Sequence, residues 1–333
     1  MNLITAYGML ISFALQGYAM YSIIFSTASI LVSYWFAFSV YPLIKESNIH
    51  AVTKKYFYAA LLFNVISSLG PFSLAFMMVS HSANQDYLMG AVFYYLHFQY
   101  NGWFLFVILG TLNEHIAKQT ENFDFNRNFN VLIVAAVMTL FLSLPWIDKQ
   151  NMLGIVLFAI VIMQLFVFIS FLRNTKEGNG PPLILNSRIK IPIKSIFTFA
   201  ILIKGVLQIL ILVPSLDQYA FGIRPVIIAY LHLVLIGVVS FYIFHYLIKE
   251  RIMLMSKKLN KGLLIFLGGF ILNEIVLVLQ GLSWLNIVGL PLTNESLFLA
   301  AIMMFSGLIV VTTSIIKKSV SGKNKFPELP FIK

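Results

Sequence analysis

The chain has 333 residues, of which 59% are hydrophobic and only 11% charged; soluble domains carry about 25% charged residues, so the sequence reads as a polytopic membrane protein. Its formal net charge is +11, but the basic residues fall in short loops between apolar runs, where they set orientation, and no nucleic-acid partner is expected. Cysteine is absent, which excludes disulfides, thiolate metal sites and cysteine nucleophiles.

A helix needs about 20 apolar residues to cross a bilayer core. In chain order the sequence predicts spans over 3–20, 22–44, 56–80, 91–112, 131–147, 153–172, 195–213, 225–247, 263–283 and 296–316. Residues 3–44 hold no charge. As one helix they would reach about 60 Å, twice the hydrocarbon thickness, so a turn is required near Gly17 to Tyr21. The start "MNLITAYGML" lacks a basic leader and a cleavage site, and no cleavable signal peptide is expected.

Placing the N-terminus in the cytoplasm puts segments 45–55, 113–130, 173–194, 248–262 and 317–333 on the inner side. These hold 20 of the 23 Lys and Arg residues, whereas the opposite loops hold only Lys149 and Arg224. The asymmetry predicts two cytoplasmic termini in the cell (plasma or inner) membrane. The expected architecture is an all-α, polytopic transmembrane helix bundle forming a single integral membrane domain over 1–333. A cytoplasmic linker with a Gly-Pro-Pro breaker occupies 173–194, and a basic cytoplasmic tail 317–333.

The sequence also repeats. "AVFYYLHFQYNGWFLF" (91–106) aligns with "VIIAYLHLVLIGVVSF" (226–241), placing His97 on His232 and Gly102 on Gly237. Proline-terminated apolar segments precede both copies. Four helices separate the histidines, so the repeat is parallel, and both lie about 10 Å below the outer face of a span running inward. A lone membrane histidine often only bonds a neighbouring helix; two in register at one depth favour a shared site. Imidazole is a common metal ligand. Tyr94 and Asn101 share the His97 helix face and could orient a ligand. His81, in the adjoining outer loop, could reach the same region.

Two charges fall mid-span, Lys204 and Glu274. Each costs at least about 2.5 kcal/mol at that depth, so such groups pair or line a polar path. The expectation is a Lys204–Glu274 pair, or a polar cluster with Asn64, Gln208 and Asn273. The adjacent "LGGF" (267–270) reads as a small-residue packing site. No glycine-rich phosphate loop, nucleophile elbow or H-E-x-x-H motif is present, and no enzyme active site is expected.

The two histidine-bearing segments, "YYLHFQYNGWFLF" and "IAYLHLVLIGVVSF", resemble the ligand helices of the haem–copper oxidase subunit I superfamily, and more closely its divergent NnrS-like members. The resemblance implies haem or copper bound by His97 and His232, with the chain matching the last ten of twelve helices. An N-terminal helix pair or other membrane subunits would then complete it within the lipid bilayer. The pattern also departs: the first histidine cluster is absent, Tyr100 stands at i+3 where the superfamily places a tyrosine at i+4, and the tenth-helix pair is the single His232. Cofactor binding without oxygen reduction is the expected function. The alternatives are a transporter with a polar mid-membrane path and a non-catalytic subunit of a membrane complex.

Overall fold

The computed structural model describes residues 1–17, 19–80, 84–120, 123–144, 146–175, 192–214, 216, 220, 222–284 and 293–320. They are helical, and the chain divides into two compact units, Met1–Ile147 and Asp148–Lys333. The expected linker 173–194 and tail 317–333 fall mostly outside the described residues, as does His81.

In the first unit, α1 (Asn2–Gln16) and α2 (Met20–Glu46) split the charge-free run where its length demands a break. Gly17 makes the break at φ 65°, a left-handed conformation that glycine adopts without Cβ strain. Ser22 Oγ donates to the Gly17 carbonyl at 2.7 Å and accepts from the Ala19 amide at 2.8 Å, satisfying groups the break exposes. The next long element is α3 (Ala51–Ser67) running into α4 (Leu69–Val79). It is followed by α5 (Gln85–His97), a π-helical segment Phe98–Phe104 and α6 (Leu105–Ala117). These two elements lie antiparallel, α4 against α5 and α3 against both the π segment and α6. The unit closes with α7 (Phe125–Met138) and a 3₁₀ turn Thr139–Ser143.

The second unit begins with α8 (Met152–Asn174) and α9 (Ile193–Leu210). Next come α10 (Arg224–His232), a second π-helical segment Leu233–Ser240 and α11 (Phe241–Lys249). The hairpin of α12 (Lys257–Trp284) and α13 (Thr293–Val320) completes it. The "LGGF" expectation is met here. A Cβ on Gly269 would lie 2.8 Å from the Ala300 carbonyl oxygen, so the two backbones approach as only small residues allow.

Among the described residues eight helices are long and apolar enough to cross a membrane: 20–46, 51–79, 125–143, 152–174, 193–210, 224–249, 257–283 and 294–315. Their outer surfaces are apolar, with Phe38 77% and Phe76 73% exposed, the inverse of a water-soluble surface. Two of the ten expected spans are outside this set. α1 has 15 residues and reaches about 22 Å, short of the bilayer core. The continuous helix 85–117 is long enough, but its apolar character is diluted by the polar run that contains His97, Gln99 and Asn101.

Candidate functional site

Each aligned histidine is the last residue of an α-helix, and a π-helical segment starts at the next residue in both cases. A π turn widens the helix and interrupts its i→i−4 ladder, a distortion found often at functional positions. His97 belongs to the first unit and His232 to the second.

His97 is fully buried. Its Nε2 lies 2.8 Å from the Ala136 carbonyl oxygen, so Nε2 carries the proton and donates. Ala136 is in the last turn of α7, where carbonyls lose their intrahelical donors. The other ring nitrogen, Nδ1, faces Ser143 Oγ at 3.1 Å and Asn101 Nδ2 at 3.2 Å. Asn101 therefore orients the ring, as its i+4 position suggests, while Tyr94 packs its ring on Phe98 at 4.8 Å. Gln99 turns the other way and donates to Asn64 Oδ1 at 3.1 Å and Ser67 Oγ at 2.8 Å on α3. The polar residues of this stretch thus fasten a π-helical segment to α3, α7 and the 3₁₀ turn.

His232 is only half-buried. Asn273 of α12 donates from Nδ2 to His232 Nδ1 at 2.7 Å and from the same nitrogen to Glu274 Oε1 at 3.1 Å. The carboxylate contact fixes which end of the amide faces the ring. With Nδ1 accepting, the neutral imidazole of His232 holds its proton on Nε2. Both histidines therefore hold the same tautomer, with an asparagine amide at Nδ1.

The mid-span charges do not pair with each other. Lys204 is buried and donates from Nζ to Gln208 Oε1 at 3.2 Å, one turn along α9. Glu274 is held by Asn273, and no ion pair joins it to Lys204. Each charge is matched by an amide, which supplies a dipole without requiring two long side chains to meet across the bundle. Asn64 lies in the first unit, where its Oδ1 accepts from Gln99.

The depths of these groups nevertheless coincide. Phe197 packs on Tyr242 and His245, and a Cβ on Gly237 would lie 3.2 Å from Ala200 Cβ, so α9 runs antiparallel to the His232 helix. Lys204 is four residues beyond Ala200, and His232 is five before Gly237. At about 1.5 Å per residue they stand at one level within about 2 Å. Lys204, Gln208, His232, Asn273 and Glu274 form a polar layer through the second unit.

Beside this layer, towards Arg224, is a cavity of about 380 Å³. Its polar lining is Arg224, His232, Asn273, Gln280 and Asn294. Ile228, Leu277 and Leu297 supply apolar walls. Arg224 stands at the N-terminus of α10 and Asn294 in the first turn of α13, so two positive helix ends converge on it. Arg224, Gln280 and Asn294 are not prominent in the sequence, because a charge and two amides near helix ends look like ordinary interfacial residues.

Haem or copper requires an unprotonated ring nitrogen directed at the metal. Both His97 nitrogens are occupied, and the free nitrogen of His232 is the protonated one. Among the described residues no three His, Cys, Asp or Glu side chains come together in a metal-binding group. The side chains as arranged do not fit either cofactor. Compared with protein-family models, with curated proteins and with solved structures, the chain matches none.

Proposed function

We propose that the chain is a polytopic integral membrane protein that admits a polar solute to the cavity beside His232 and acts as a transporter. The observation that carries this reading is the polar layer of the second unit opening onto that cavity. Charged and amide groups are expensive inside a membrane and mark substrate or ion paths. The eight long apolar helices among the described residues support a membrane protein, and the excess of Lys and Arg in alternate loops supports a cell-membrane location with both termini in the cytoplasm. In that orientation the cavity opens outward and the Lys204–Glu274 layer closes its inner end.

The natural absence of cysteine allows a direct test. Single cysteines at Gln280 and Leu297, in the cavity, are expected to react with a membrane-impermeant maleimide added outside intact cells. Cysteines at Ile271 and Val278, on the outward-facing side of α12 (48% and 54% exposed), are expected to remain unlabelled in lipid. A cysteine below the layer at Val239 should react from the cytoplasmic side in inside-out vesicles. Equal labelling at cavity and lipid-facing positions overturns the cavity. An inert Val239→Cys overturns passage. A haem Soret band or stoichiometric copper lost in His232→Ala would restore cofactor binding.

A further inference from the structure

We infer that the His232 cavity binds an amphipathic monocarboxylate, with its head group at Arg224 and its apolar body along Ile228, Leu277 and Leu297. The inference rests on the cavity reading above and names the class of solute.

Charge fixes the sign. Among the described lining residues Arg224 alone carries a formal charge, and its planar fork matches a carboxylate in two parallel hydrogen bonds. The amides of Gln280 and Asn294 can turn their N–H groups to an anion, and the His232 ring holds its proton on Nε2. Two helix N-termini add partial positive charge in the same place. A cationic solute would meet no carboxylate in the lining. Glu274 and Glu295 are the nearest acids in sequence; neither lines the cavity, and Glu274 Oε1 is already held by Asn273.

Charge also fixes the magnitude. One guanidinium balances one negative charge. A phosphate dianion carries about one negative charge more than the single guanidinium offsets. The three aliphatic walls have no use for an inorganic anion, but they would cover a short hydrocarbon body. The volume, about 380 Å³, is at the small end of ligand cavities, which are roughly 300–1,000 Å³.

The test is protection of the Leu297→Cys protein from the external maleimide. Hexanoate at twice its dissociation constant should slow alkylation about threefold, by simple occupancy. Hexylammonium and inorganic phosphate at the same concentration should leave the rate unchanged. Adding Arg224→Gln should raise the hexanoate needed by about tenfold or more, each variant being read against its own ligand-free rate, and Arg224→Lys should keep part of the protection. Protection by oleate in place of hexanoate assigns the same head group to a ligand entering from the bilayer. Equal protection by hexylammonium, protection by phosphate, or full protection in Arg224→Gln overturns the inference. Failure of Leu297→Cys to react without ligand refutes the cavity itself, a separate outcome.

Discussion

One side-chain nitrogen of Asn273 joins His232 to Glu274, bonding the imidazole at 2.7 Å and the carboxylate at 3.1 Å. This amide is buried, with only 4% of its surface exposed, so neither partner can readily replace it with water. It sets the histidine tautomer and anchors the acid.

Removing this amide should therefore cost more than a typical membrane hydrogen bond. Such bonds average about 0.6 kcal/mol in double-mutant cycles, but an orphaned buried polar group costs about 1–3. Asn273→Ala is expected to lower unfolding stability by about 1–2 kcal/mol, read from reversible denaturation in mixed micelles. A loss within about 0.3 kcal/mol would show that the amide is dispensable.

His97 and Asn101 should differ sharply although they touch. His97→Phe strips the Ala136 carbonyl of its donor inside the first unit, at an expected cost of about 2 kcal/mol. Asn101→Leu leaves Ser143 Oγ to serve the ring, and it removes an Asn101 Oδ1 that is buried without a hydrogen-bond partner. The leucine variant should lie within about 1 kcal/mol of wild type by the same measurement. Equal losses in the two variants would contradict the described network.

The aligned glycines should also behave unequally. A Cβ on Gly102 would come within 2.5 Å of Phe63 Cβ, an atom fixed to the α3 backbone. On Gly237 the nearest atom is Phe270 Cζ at 3.0 Å, at the movable end of a side chain. Gly102→Ala is expected to cost about 1–3 kcal/mol through overpacking, and Gly237→Ala clearly less. Thermal inactivation of the two variants, ranked side by side, decides it; the reverse order would mean that the helix contact at Phe63 is looser than described.

Lys204 and Glu274 can be tested for independence. With no ion pair between them, Lys204→Met and Glu274→Gln should be additive within about 0.5 kcal/mol in a double-mutant cycle. Lys204→Met should itself be neutral or stabilising, since methionine fills similar space without burying a charge. A coupling energy above about 1 kcal/mol would restore the pair expected from sequence.

Much of this is legible in the sequence, for identifiable reasons. The break at Gly17 follows from arithmetic on helix length, and the interhelical role of "LGGF" from residue size. The buried polar character of His97 and Asn101 follows from their place in an apolar run. The π segments are not legible, because a wide turn is set by the balance of packing around it rather than by residue type; the pairing of histidine with a following glycine in both copies is its only trace. Partner choice also fails to show. Lys204 and Glu274 stand at similar depths, yet Gln208 lies one turn away on the same helix and Asn273 is adjacent in sequence to the acid. Local amides, already in place, compete successfully against a charge on another helix.

The two π turns also fix how the helices beyond them are placed. Bonding i to i+5 instead of i to i+4 stores one surplus residue in each wide turn. Excising a single residue from 98–104 or from 233–240 would let the helix heal into regular α geometry. Everything downstream would then rotate by about 100° and shift by about 1.5 Å. Each segment therefore behaves as a one-residue insertion that its neighbours have come to accommodate.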